Sequence, residues 1–117
     1  MEQGPRLLMN LYSNFQMPEN GSELSEILLD ENVTIERIIS TGQITPPDYW
    51  YDQARDEWVS LLQGNAVIQF KYGEEIRLKA GDQLLIPHNL LHRVVFTSVS
   101  PPCIWIAIHG NLLSGND

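Results

Sequence analysis

Two side chains in this chain of 117 residues carry the most chemical information, Glu57 and His92. Glu57 opens EWVSLLQ (57–63), a stretch that reads as a β-strand. Strand side chains alternate in direction, so Glu57 shares a face with Val59 and Leu61, which belong in a core. A carboxylate on such a face is costly unless it is paired or metal-bound. His92 opens HRVVFTSV (92–99) and by the same alternation shares a face with Val94 and Phe96. If both faces line one interior, the acid and the imidazole converge there. Plainer roles compete: Glu57 as the partner of Arg37, Arg55 or Arg93 at the mouth, and His92 as a hydrogen-bonded core histidine. His88 follows a proline in a loop and reads as a surface residue. His109 closes the last strand on the face of Trp105 and Ala107, and is a candidate to reach the same interior.

The elements that must position these groups are almost all strands. VTIERIIS (33–40), EWVSLLQ (57–63), AVIQFKY (66–72), EIRLKA (75–80), QLLIP (83–87), HRVVFTSV (92–99) and CIWIAIH (103–109) alternate or are rich in β-branched residues. Gly42, Gly64 and Gly81 fall in the turns, and Pro87 stops a strand where its missing N–H does no harm. AVIQFKY is expected to return as the hairpin partner of EWVSLLQ across Gly64-Asn65. Short strands at this spacing, with no helical crossover, predict an antiparallel sandwich or barrel. Before residue 33 the pattern is weaker. Leu7 to Tyr12 is a candidate edge strand. Ser22 to Leu28 reads equally as a helical turn capped by Ser22 or as a strand over 26–29. The expected organisation is an N-terminal segment (1–32) packed on the barrel or on a partner, a barrel (33–110), and a flexible tail (111–117).

Composition bounds the function. Apolar residues make up 43% of the chain, enough for a core. Fifteen acidic residues against seven basic ones give a net charge of −8, which argues against nucleic acid or an anionic membrane as a partner. With one cysteine, Cys103, no internal disulfide is possible, and a cytoplasmic location is expected. MEQGPRLLMNLY does not read as a secretory leader. Phosphate-cradling glycine loops and a serine-nucleophile elbow are absent. Trp50, Trp58 and Trp105 read as packing residues. The acids Asp48, Asp52 and Asp56 read as a solvated loop.

Two segments together, Gly42 … Glu57, six residues, Gly64, and GDQLLIPHNLLH with Gly81, Pro87 and His92, resemble the paired motifs of the cupin superfamily. The patterns are G-x5-H-x-H-x3,4-E-x6-G and G-x5-P-x-G-x2-H-x3-N, and the likeness spans residues 33 to 109. More narrowly, IERIISTG … YDQ … DEWVSLLQG … GD … IP … HRV … IWIAIH resembles small single-domain bacterial cupins. The resemblance implies an all-β fold, the cupin double-stranded β-helix, a jelly-roll-like antiparallel barrel.

The resemblance also implies a divalent metal site inside the barrel, with Glu57 and His92 as ligands. Both motif-one histidines are missing. The shorter spacing puts Tyr51 and Gln53 in their places, the longer one Trp50 and Asp52. An oxygen from Asp52 or Gln53 is then expected to complete a set suited to Zn, Fe, Mn or Ni. Asp is the better ligand, and Gln53 fits the commoner spacing. Asn89 replaces the motif-two glycine and Phe96 the final asparagine. Tyr51 and His109 are candidates to line the cavity around a small-molecule ligand. A homodimer is expected, since cupins often pair through N-terminal strands. The alternative is a metal-free binding or sensing module.

Overall fold

The computed structural model describes residues 4–19 and 21–113. Eight strands run in chain order: β1 (Leu24–Asp30), β2 (Thr34–Ser40), β3 (Asp56–Gln63), β4 (Asn65–Phe70), β5 (Glu75–Lys79), β6 (Gln83–Ile86), β7 (His92–Thr97) and β8 (Cys103–Gly110). They form two antiparallel sheets, one ordered β1-β2-β8-β3-β6 and the other β5-β4-β7. This is the expected all-β jelly roll. Among the described residues no helix is long and apolar enough to cross a membrane.

The core lies between the inner faces of the two sheets. Val59, Leu61, Trp105 and Ala107 come from the larger sheet, and Ala66, Ile68 and Leu78 from the smaller one. Each large apolar side chain buried there contributes about 1.5–3 kcal/mol of transfer free energy.

Three local expectations are corrected. The hairpin between β3 and β4 does not form, because the two strands lie in different sheets. At Gly64 the backbone takes φ +95° and carries the chain from one sheet to the other. Residues 22–28 are not a helical turn but enter β1, which pairs with β2 from Leu24 onward. Leu7 to Tyr12 forms no strand.

The last difference has a clear cause in Arg37. In the strand register Arg37 lies opposite Glu26 and Ile106, on the outer face of the larger sheet, yet it is completely buried. Its guanidinium donates to the carbonyls of Leu11, Ser13 and Asn14 at 3.3, 2.6 and 3.1 Å. It also donates twice to Glu26 Oε1, from Nε at 2.8 Å and Nη2 at 2.5 Å. Carbonyls gathered onto one cation are not available for a strand ladder. The N-terminal segment is thus a strap over the sheet rather than a strand within it.

Candidate functional site

β3 and β7 carry the two residues singled out by alternation, and both turn inward. Glu57 and His92 are 9% and 5% exposed, and His92 Nε2 stands 3.6 Å from Glu57 Oε1. The arginines considered as partners of Glu57 are engaged elsewhere. Arg37 is on the outer face, Arg55 donates to Thr34 Oγ1, and Arg93 donates to Gln69 and the Pro47 carbonyl while stacking on Trp50.

The other ring nitrogen of His92 fixes its tautomer. Nδ1 lies 2.7 Å from the Leu90 carbonyl, which can only accept, so Nδ1 carries a proton. Nε2 is therefore the nitrogen offered to Glu57 and to the interior. Burial works against charge on His92, but the Leu90 carbonyl and the Glu57 carboxylate outweigh it and raise its pKa above the ordinary histidine value.

Tyr51 completes the near wall. Its backbone exchanges both hydrogen bonds with His92, at 2.8 and 3.2 Å, so the two side chains emerge on the same side. Their rings stack with centroids 5.7 Å apart. Tyr51 thus occupies the position that the shorter motif spacing gives to a histidine. Asn89, standing where the motif has glycine, adopts φ +61°, a left-handed conformation that asparagine tolerates.

These groups open onto a cavity of about 100 Å³. Its polar lining is Glu23, Tyr51, Glu57 and His92, and its apolar walls include Ile68, Ile86, Val94 and Trp105. Phe96 does not share it. A bulge in β7, where Val67 pairs Phe96 but Ile68 pairs Val94, interrupts the alternation, and Phe96 is 49% exposed.

The remaining candidates are placed as follows. Asp52 is exposed and outside the cavity lining. Gln53 is half-buried and also outside the lining, and its Oε1 is buried without a hydrogen-bond partner among the described residues. His109 binds Glu36, Nε2 to Oε1 at 2.9 Å, and Ser25 Oγ donates to the other oxygen of Glu36 at 2.5 Å. The Glu36 hydrogen bond raises the pKa of His109, and the same bond holds the Glu36 carboxyl low.

A catalytic zinc site ordinarily uses three protein ligands. Among the described residues no three His, Cys, Asp or Glu side chains come together in a metal-holding group. Glu57 and His92 are two donors, and the set stays one short unless the Gln53 side chain turns inward.

Three acids were missed in the sequence. Glu23 lies in an irregular break where no periodicity signals it. Glu36 was legible, since alternation puts it on the face of Ile38. Asp56 opens β3, buried, with Oδ1 accepting from the backbone N–H and ring of His88 at 2.8 and 2.9 Å and Oδ2 from Leu112 and Leu113 N–H. Those bonds, the His88 ring foremost, lower its pKa to about 2. Asp56 thus ties the loop before β7 to the chain after β8. Residues 114–117 of the expected flexible tail lie outside the described residues.

The two raised histidines set a pH dependence. A group whose pKa rises on folding stabilises the protein fully below its unfolded value, near 6.5, and loses that contribution as pH rises through the folded value. Urea unfolding should therefore give lower stability at about pH 8.5 than at about pH 6, a slope that His109→Gln should reduce. A wild-type profile flat across that range would refute the assignment.

The cupin domain family model matches residues 36–109. No curated protein matches. Among solved structures, a provisionally assigned mannose-6-phosphate isomerase from Ralstonia eutropha JMP134 is similar at 36% identity, with a TM-score of 0.81 over 87% of this chain and 95% of that one. A cupin superfamily protein from Desulfitobacterium hafniense DCB-2 is similar in fold at 22% identity and a TM-score of 0.67, over 80% of this chain and 82% of that one. An RmlC-like cupin family protein with a double-stranded β-helix fold, from Methanocaldococcus jannaschii, shares the fold at 14% identity and a TM-score of 0.63, over 83% and 86%.

Proposed function

The chain belongs to the cupin domain family, and from that premise we propose that it binds a small molecule in its barrel cavity through the Glu57–His92 pair. The observation that carries this reading is the setting of the pair. His92 Nδ1 is committed to the Leu90 carbonyl, and Nε2 faces Glu57 across 3.6 Å in a mostly apolar cavity. That separation exceeds a direct hydrogen bond, so both groups keep capacity for a third partner. A protonated Nε2 donates to a ligand oxygen, and Glu57 accepts from a ligand O–H or N–H. The apolar walls exclude water and strengthen both bonds.

The name of the Ralstonia relative raises the question of a sugar phosphate. Phosphate recognition relies on arginine, lysine or clustered backbone N–H donors. None of the described residues lining the cavity is arginine or lysine, and two are glutamates. The proposed ligand is therefore not a phosphate ester.

One observation favours a second reading, in which Glu57, His92 and Gln53 hold a divalent ion such as Zn, Fe, Mn or Ni. Gln53 Oε1 is buried and takes no hydrogen bond from any described residue, which makes it available as a metal ligand after a side-chain rotation.

A metabolite screen by thermal shift, run with and without chelator, tests the two together. The first reading expects hits that survive chelation and weaken roughly tenfold or more in Glu57→Gln and in His92→Asn, the loss of one charge-assisted hydrogen bond. Stoichiometric metal in protein purified without a histidine tag, lost in both variants, establishes the second. Hits indifferent to both substitutions rule out this pair as the recognition element.

A further inference from the structure

We infer that the cavity selects a small organic cation, an amine or a quaternary ammonium group, over a neutral or anionic molecule of the same shape. This rests on the small-molecule reading above and adds the ligand's charge. The interior brings three carboxylates, Glu23, Glu36 and Glu57, near two imidazoles, His92 and His109. Glu36 is hydrogen-bonded to His109 and Ser25, and the charge of Glu57 is faced by His92 at 3.6 Å. Glu23 makes no hydrogen bond or ion pair with any described residue, and it lines the cavity beside Glu57.

The state of Glu23 agrees with this imbalance. Loss of hydration, then the charges of Glu36 and Glu57, raise its pKa above the ordinary carboxylate value. The residue as a whole stays solvent-exposed, which places it at the mouth, where an incoming ligand passes it. Only the part of the pKa rise due to Glu36 and Glu57 reflects neighbouring negative charge, and that part favours a cation beside Glu23.

The walls add a second attraction. Tyr51 and Trp105 line the same cavity, and the faces of such rings attract cations. Trp105 is held in place by its indole N–H, which donates to Ser40 Oγ at 3.0 Å. Among the described lining residues the basic group is His92, which faces Glu57, and the arginines and lysine nearby are engaged elsewhere. Lys71 and Arg93 both lie over the Trp50 ring, and Arg55 reaches Thr34.

Three probes of nearly one shape test the inference: tert-butylammonium, tert-butanol and pivalate. Each is titrated into the full chain and followed by the Trp105 indole N–H resonance, a readout on a residue that lines the cavity. The cation should bind roughly tenfold or more tightly than tert-butanol, the worth of one desolvated ion pair or cation–π contact, with pivalate weaker still. Glu23→Gln, at the exposed mouth, should erase most of the preference for tert-butylammonium over tert-butanol, and its thermal midpoint shows whether the variant is folded. Equal binding of tert-butylammonium and tert-butanol overturns the charge inference and leaves the cavity reading standing. Tighter binding of pivalate overturns it outright. A Trp105 resonance unmoved by all three overturns both the inference and the small-molecule reading.

Discussion

Gly64→Ala is expected to destabilise the protein by about 2–5 kcal/mol, because it adds backbone strain to a steric clash. Gly64 has φ +95°, a region that residues with a Cβ rarely adopt. A Cβ there would stand 2.8 Å from Ser98 Oγ, 2.9 Å from Cys103 Sγ and 3.0 Å from Cys103 Cα. None of these neighbours yields easily. Ser98 Oγ accepts from Asn65 N–H at 3.0 Å and donates to the Pro101 carbonyl at 2.7 Å. Cys103 is fully buried, with its thiol against the Asn65 carbonyl. Gly81→Ala is the matched control. Gly81 has φ +97° but nothing within 4 Å of its Cβ position, so only the backbone strain applies, about 1–2 kcal/mol. Urea unfolding of the two variants should separate them, with Gly64→Ala the more damaging. Equal losses would show that the corner between β3 and β4 is loosely packed and that the clash relaxes without cost.

Arg37→Leu should cost about 2–4 kcal/mol, somewhat below the range for breaking a fully buried ion pair. The lower figure reflects the partner Glu26, whose side chain is 35% exposed and can be rehydrated. The substitution removes the donors to Leu11, Ser13 and Asn14 and the cation held 5.4 Å from the Phe15 ring. The strap over residues 4–19 should then become susceptible to limited proteolysis before the barrel unfolds. Arg37→Lys keeps the charge but not the planar fork, and should restore only part of the loss. Full stability and protease resistance in Arg37→Leu would show that the strap is held by apolar contacts instead.

The strands themselves were legible from residue 33 onward. β-Branched residues alternate there, and Gly, Pro and Asn break the runs, so the periodicity survives without any tertiary information. The same alternation turned Glu57 inward with Val59 and Leu61, and His92 inward with Val94. It failed at Phe96, because a bulge adds one residue to one strand of a pair, and that residue is defined only by its partner. It also failed at Asp56, which charge suggested was solvated and which four hydrogen bonds from distant parts of the chain bury. The motif resemblance left Asp52 and Gln53 as alternatives. The pairing of Tyr51 with His92 turned Tyr51 inward, while Asp52 is exposed and Gln53 stays outside the cavity lining.

From residue 33 onward the sequence by itself determined which segments are strands and, away from bulges, which side chains share a face, since side-chain direction along a strand is a property of the covalent backbone. Only the tertiary structure decided what those side chains meet. Glu36 reaches His109 across 73 residues of chain, and β3 and β4, adjacent in sequence, part into separate sheets. Alternation fixes which face a strand presents, but which strand becomes its neighbour depends on how the two sheets close over a shared core.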